Sequence, residues 1–274
     1  MGSASASASG PLSVGVVTIA TNRYLDYWHE MALSADTFLF RGREVVLHVF
    51  TDRAADAHAM AGDFSNIHVN PVTIDALRWP EATLLRYEVF DAHRGEIDQS
   101  LLMHLDADML LVDDVGSELR PQDWAGGMAL VRHPGFRRPE GRLGASLYAH
   151  HPVLAAKDGV RMLRDGGLGT WETDPLVRAF VPRRLRRTYV CGGAWFGLAA
   201  PFQDMVDELA VRTRSDLNEG RIALWHDESH LNWFAAHHPT ALLGSEYCFA
   251  PGFANLSDLS PRIIAVDKAD DRTR

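Results

Sequence analysis

Hydrophobic and polar positions along the first half of the chain switch between two periods. Val14 to Ala20 is a short, β-branched apolar run of the kind that fills a strand buried on both faces. Tyr24, Tyr27, Trp28, Met31, Ala35 and Phe38 follow along one stripe, the pattern of an amphipathic helix. Glu44 to Phe50 and Ile67 to Ile74 return to the strand pattern. Leu84, Leu85, Val89 and Ala92 predict a helix around Glu81 to His93, and Leu101 to Leu105 is a strand that runs straight into Asp106. Further on, Pro201 opens a helix to about Leu217, with Phe202, Met205, Val206 and Leu209 on its apolar face, and a shorter helix is expected over His226 to His238. Between 136 and 187, Gly, Pro and Arg dominate without periodicity, so long, partly mobile loops of the lid type are expected, the arginine run 183–187 among them.

Strands alternating with helices imply an α/β fold, a mostly parallel sheet covered on both faces. Ligands of such sheets bind beyond the carboxyl ends of the strands, and Asp106 and Asp108 stand at one of those ends. Two carboxylates one residue apart on extended chain point the same way, repel each other, and suit a hard divalent cation with positions left open for phosphate oxygens. Asp-x-Asp also occurs at solvated strand-end turns, so the motif alone leaves both readings open. The segment Trp225-His-Asp-Glu-Ser-His-Leu-Asn232 packs two acids and two histidines into five positions where a helix begins. It is not His-Glu-x-x-His, which weighs against a zinc protease. Asp227 as a helix N-cap is the plain alternative, though it leaves the rest of the cluster unexplained. Cys191-Gly-Gly-Ala-Trp-Phe-Gly197 allows close backbone approach to a ligand, or is a glycine-rich strand; its spacing does not match the dinucleotide fingerprint.

Bulk properties narrow the partners. The 274 residues are 46% hydrophobic, enough for a substantial core, and the net charge of −9 argues against nucleic acid. No apolar run is long enough to span a bilayer, and the Ser/Ala-rich opening has neither the basic nor the apolar region of a signal peptide. Two cysteines outside any CxxC pair make no disulfide framework, so a cytoplasmic location is expected. Only two of the 27 basic residues are lysines, a bias suggesting a GC-rich bacterial genome. No signal sets an oligomeric state.

The three motifs, in this order, resemble the family 6 retaining glycosyltransferases, which include the ABO blood-group transferases and α-1,3-galactosyltransferase. The resemblance runs from about Val14 to Pro251 and rests most on WHDESHLN and the following His238-Pro-Thr240 and Ser245-Glu-Tyr247. Arg23-Tyr24, Arg78-Trp79, Arg86, the Asp-x-Asp and His133-Pro-Gly-Phe136 add to it. It implies a GT-A fold, a UDP-sugar donor, Mn2+ (or Mg2+) and transfer with retention of configuration. Ile19, Ala20, Thr21 and Tyr24 would then line the uracil pocket. Asp106, Ala107 and Asp108 would meet the diphosphate, the two acids through the metal, and Arg86 and Asp227 would contact the donor sugar. Glu228 would be the catalytic carboxylate, either nucleophile or stabiliser of an oxocarbenium ion, and would also face the acceptor with His133 and Trp225.

The chain departs from the family pattern in several places. Arg186-Arg-Thr-Tyr-Val190 stands where the family has acidic-Asp-Phe-Tyr-Tyr, and Ala250 follows Phe249 where an acid is usual. The small donor-selecting residue is Gly193 or Ala194. The family's basic tail has only Arg262, Lys268, Arg272 and Arg274 as substitutes. The resulting expectation is a linker or tag over 1–11, one GT-A catalytic domain over 12–262 and a polar tail over 263–274. Its partners would be a nucleotide sugar and a hydroxyl acceptor, with galactose or N-acetylgalactosamine as the moving sugar. A metal-dependent nucleotidyl or phosphoryl transferase, a metal-dependent nucleotide-sugar enzyme with a glucose-type donor, and a glycan- or nucleotide-sugar-binding module without turnover are the competing readings.

Overall fold

A computed structural model describes residues 12–139, 141–252 and 259–266. Four apolar runs form the parallel half of a seven-stranded sheet: β1 (Val14–Ile19), β2 (Val45–Thr51), β3 (Ile67–Thr73) and β4 (Leu101–Leu105). β1 is buried because both faces of the sheet are covered. Val14 and Val16 pack with Leu25, Trp28 and Met31 of α1 (Tyr24–Phe38), whereas Val17 packs on the opposite side. That second layer comprises α4 (Arg86–Ala92), α7 (Ala199–Asn218) and α8 (His226–His237), which contribute Phe90, Phe202, Leu209 and Leu231. α2 (Ala54–Met60) lies against β3.

The rest of the sheet is mixed. Its order is β3-β2-β1-β4-β7-β6-β8, with β6 spanning Met128–Arg132, β7 Val190–Leu198 and β8 Ala241–Leu243. β7 runs antiparallel to both β4 and β6, while β6 and β8 are parallel. The glycine-rich segment is therefore a central strand. Its antiparallel course brings its start to the end of β4, with Leu105 opposite Ala194. A small second sheet joins β5 (Met109–Leu111) to β9 (Ile263–Ala265), which begins one residue past the expected domain end at 262.

Two expectations need correction. The helix foreseen over 81–93 is broken at Leu85 (φ −96°, ψ 5°) into α3 (Glu81–Leu84) and α4, and the break turns Arg86 into the site. The loops foreseen over 136–187 contain a helical hairpin, α5 (Gly141–His150) and α6 (Pro152–Asp165), and a segment tied down by buried charge. Arg186, 9% exposed, donates to the carbonyls of Val181 and Asp165 at 2.9 Å each, so this one arginine of the run is an anchor. Buried arginine directed at carbonyls has no periodicity for a sequence to display.

Candidate functional site

Three elements converge at the carboxyl end of β4. The first is the antiparallel pairing itself: the Asp106 amide donates to the Gly193 carbonyl at 3.0 Å, which holds the aspartate beside β7. A Cβ at Gly193 would lie 3.1 Å from Asp106 Oδ2, and one at Gly192 would lie 3.2 Å from the Glu228 Cβ. The two glycines are what let β4 and α8 approach so closely.

The second element is α4. Arg86 is 5% exposed and spans two acids from separate parts of the chain: Nη2 donates to Asp106 Oδ1 and Nη1 to Asp227 Oδ2, both at 2.6 Å. Nη1 also donates to the Gly192 carbonyl at 3.1 Å. Burial works against the guanidinium charge, but Asp106 and Asp227 outweigh it and hold Arg86 firmly protonated. Burial pushes the Asp227 carboxyl up to about 6 despite Arg86, with Asp106 adding to the rise. Beneath Asp106, burial and the nearby Arg86 hold His104 down to about 4. Its Nδ1 faces the Val17 carbonyl at 2.9 Å, so a neutral ring directs the Nε2 lone pair toward Asp106 Oδ1, 3.3 Å away. Arg86 is then the cation that compensates this corner of the carboxylate.

The third element is the start of α8. The helix begins at His226, whose φ is +46°, and makes no side-chain cap hydrogen bond. Asp227 is therefore not the expected N-cap; its carboxylate is turned inward to Arg86. Asn232, one helical turn beyond Glu228, behaves like a strand partner. Its Oδ1 accepts from the Val190 amide at 2.9 Å and its Nδ2 donates to the Val190 carbonyl at 2.8 Å. This clamp sets Glu228 over β7. Glu228 Oε2 accepts from the Gly192 amide at 2.9 Å and Oε1 from the Tyr189 hydroxyl at 2.8 Å. Burial pushes Glu228 up to about 7, the two donors opposing the rise and Asp227 adding to it.

A cleft of about 420 Å³ opens next to these acids. Ile19, Thr21, Asn22, Tyr24, Arg86, Asp106, Ala107 and Asp108 all line it, and Trp79, 79% exposed, stands at its side. Thr21 and Asn22 both donate to the Leu77 carbonyl, at 2.9 and 3.0 Å, which ties the β1 end to the segment before α3. Ala20 is wholly buried behind this wall. Gly193 faces Asp106, whereas Ala194 is wholly buried in the core beyond it. His133 and Trp225 do not line the cleft. His133 packs on Tyr189 at 5.7 Å, which places it one side chain from Glu228, and burial holds it down to about 4. Trp225 is 51% exposed and its amide donates to Ser229 Oγ. Tyr189 and Asn232 were not foreseen as site residues, although the four-residue spacing of Glu228 and Asn232 puts both on one helix face. Arg262 is held by the Asp114 carbonyl, and Lys268, Arg272 and Arg274 lie outside the described residues.

Among the described residues no three His, Cys, Asp or Glu side chains gather as a metal cage. At this strand end Asp106 and Asp108 offer hard carboxylate oxygens. Such oxygens would fit Mn2+ or Mg2+ if substrate oxygens completed the shell, and would not suit a softer metal.

Fold and site together define a GT-A α/β domain, with its acids at the ends of the strands. The chain belongs to glycosyltransferase family 6, whose sequence model matches residues 6–130 and 164–274. It is 25% identical over 239 residues to histo-blood group ABO system transferase 1 of Rattus norvegicus, covering 86% of this chain and 60% of the relative. Globoside alpha-1,3-N-acetylgalactosaminyltransferase 1 of Homo sapiens is 25% identical over 243 residues, 86% of this chain and 60% of that one. Alpha-1,3-galactosyltransferase 2 of Homo sapiens is 23% identical over 264 residues, 94% and 68%. The chain thus spans about three fifths of the length of the ABO relative.

Proposed function

We propose that the chain is a retaining glycosyltransferase that moves galactose or N-acetylgalactosamine from a UDP-sugar to a hydroxyl acceptor, forming an α-linkage. The observation that carries this reading is the Arg86 bridge. One guanidinium joins the Asp-x-Asp at the end of β4 to the acidic start of α8 and to the Gly192 carbonyl, which is an arrangement suited to a diphosphate on one side and a sugar on the other. The names of two of the relatives, an N-acetylgalactosaminyltransferase and a galactosyltransferase, favour these two sugars.

In this reading the nucleoside lies in the cleft against Ile19, Thr21 and Tyr24, and the diphosphate reaches Asp106 and Asp108. Asp106 and Asp108 would hold a divalent cation there, which would supply Lewis-acid stabilisation of the departing UDP. Asp227, neutralised by Arg86, orients the sugar beside Gly193. The bond from the anomeric carbon to phosphate breaks with its electron pair going to UDP. The acceptor oxygen bonds to the same face of that carbon, and its proton passes to the released phosphate oxygen. Glu228 lies beside the developing positive charge. Both its oxygens already accept hydrogen bonds, which weakens it as a nucleophile and favours the role of electrostatic stabiliser. His133 and Trp225 are assigned to the acceptor side, and a cytoplasmic location is retained as part of the proposal.

The test is UDP release from UDP-galactose, UDP-N-acetylgalactosamine and UDP-glucose, with Mn2+, Mg2+ or EDTA and a panel of glycan acceptors. Acceptor-stimulated release from one of the first two donors, lost in EDTA and restored by Mn2+, is expected. Binding of the donors without any turnover would overturn the reading in favour of a binding module. Full activity in EDTA would remove the cation from it.

A further inference from the structure

The helical hairpin lies almost wholly in the stretch that the family model leaves unmatched, 131–163. Its outer helix is inverted. A surface helix ordinarily turns apolar side chains inward and charges outward. On α6 the inward side carries Asp158, 3% exposed, which accepts from Arg138 Nε at 2.6 Å and Nη2 at 3.1 Å and from the Tyr148 hydroxyl at 3.2 Å. Beside it, Arg161 lies over the Phe136 ring at 5.5 Å. The outward side carries Val153, Val160 and Leu163, which are 67%, 58% and 77% exposed. At 100° per residue these three fall within one narrow stripe, and exposed Lys157 and Arg164 fall along the same stripe.

The surroundings are as unusual in charge. From 137 to 187 the chain has 11 basic and 5 acidic residues, in a protein of net charge −9. Arg183 donates to the Leu163 carbonyl, so the exposed Arg183-Arg184 pair adjoins the end of the apolar stripe. Apolar side chains among bases suit a surface that offers hydrocarbon just beneath a layer of negative charge, which is the boundary of an anionic bilayer. A second copy of this chain offers less, because its basic segment would face the same segment of its partner across a two-fold contact. The fixed ion pair under α6 keeps the helix folded with the stripe outward, so docking requires no refolding.

We propose that α5–α6 is a membrane-docking hairpin that seats Val153, Val160 and Leu163 in the headgroup layer of an anionic phospholipid bilayer, with Lys157, Arg164 and Arg183-Arg184 against its phosphates. The test is co-sedimentation of the intact chain with vesicles of phosphatidylcholine, or of equal phosphatidylcholine and phosphatidylglycerol. Binding to the anionic vesicles is expected to be at least about tenfold tighter, and to weaken as salt is raised. The triple variant V153S/V160S/L163S and the double variant K157E/R164E are each expected to lose about tenfold, and Val160→Trp to bind more tightly. No pelleting with anionic vesicles overturns the proposal, as do equal affinities for the two vesicle types. An unchanged Val160→Trp together with unchanged serine and glutamate variants overturns it as well. So does a concentration-dependent dimer that the serine variant abolishes while vesicle binding is absent, which would assign the stripe to a second copy.

Discussion

Glu228→Gln separates the two demands on this carboxylate, because the proposed chemistry needs its charge and the fold does not. In the folded chain burial pushes the group up to about 7 from an ordinary 4.5, a rise of about 2.5 pH units. At about 1.4 kcal/mol per unit, ionising it in place costs the folded state about 3 kcal/mol relative to the unfolded chain. The sign follows from the raised value. Below about pH 4.5 the acid is protonated in both states and adds no difference. As pH rises from there through 7, the unfolded chain ionises first and folded stability falls. Glutamine does not titrate, and it can satisfy both neighbours: its carbonyl accepts from the Gly192 amide and its amide donates to the Tyr189 hydroxyl oxygen. The variant is therefore expected to match the wild type near pH 4.5 and exceed it by up to about 3 kcal/mol at pH 8. For a chain of this size that is roughly 6–10 °C in melting temperature. Transfer is expected to fall by about a hundredfold or more, as for the loss of a group aimed at transition-state charge. In the wild type, kcat/KM should decline as pH falls through about 7. The assays are thermal melts across this pH range and UDP release with acceptor. A variant less stable than wild type at pH 8, or one that transfers at near-normal rate, would refute the assignment.

Three further outcomes follow from the same geometry. Arg86→Met leaves Asp106 and Asp227 uncompensated side by side, and a loss of about 3–5 kcal/mol is expected in denaturant melts, together with loss of donor binding by calorimetry. Asn232→Ala strips the buried Val190 amide and carbonyl of their partner; about 2–4 kcal/mol should be lost in urea unfolding, and kcat should fall more than KM rises because Glu228 loses its anchor. Gly193→Ala brings a methyl within 3.1 Å of Asp106 Oδ2, and the ratio of kcat/KM for UDP-N-acetylgalactosamine to that for UDP-galactose should fall by about tenfold or more; an unchanged ratio would free Gly193 of any part in donor choice.

What could be read from the sequence divides along one physical line. Periodicity reports which side of an element is buried, so β1 to β4, α1, α7 and α8 were all legible from apolar spacing, and Asp106 was legible as the residue where an apolar strand ends. Periodicity is silent about partners. Nothing in Val190 to Leu198 distinguishes a strand antiparallel to β4 from one parallel to it, yet that direction is what delivers Gly192 and Gly193 to Asp106. Periodicity alone leaves Arg86 one of 25 arginines; the family resemblance assigns it to the donor sugar with Asp227, and the broken helix at Leu85 adds that it joins two acids 121 positions apart in the chain. The hairpin is passed over for a different reason. The glycines, prolines and arginines around it outweigh the helical spacing that α6 does carry, and its apolar stripe faces outward, so no core position marks it. An apolar stripe turned to solvent is expected where surface serves something other than the core, and α6 carries such a stripe along most of its length. Asp158 is the buried side chain of α6 and is held by Arg138, so an Asp158→Asn exchange should loosen the hairpin while leaving the Arg86 bridge and donor binding intact. Hydrogen exchange confined to 137–165 would bear this out, and protection unchanged across that segment would refute it.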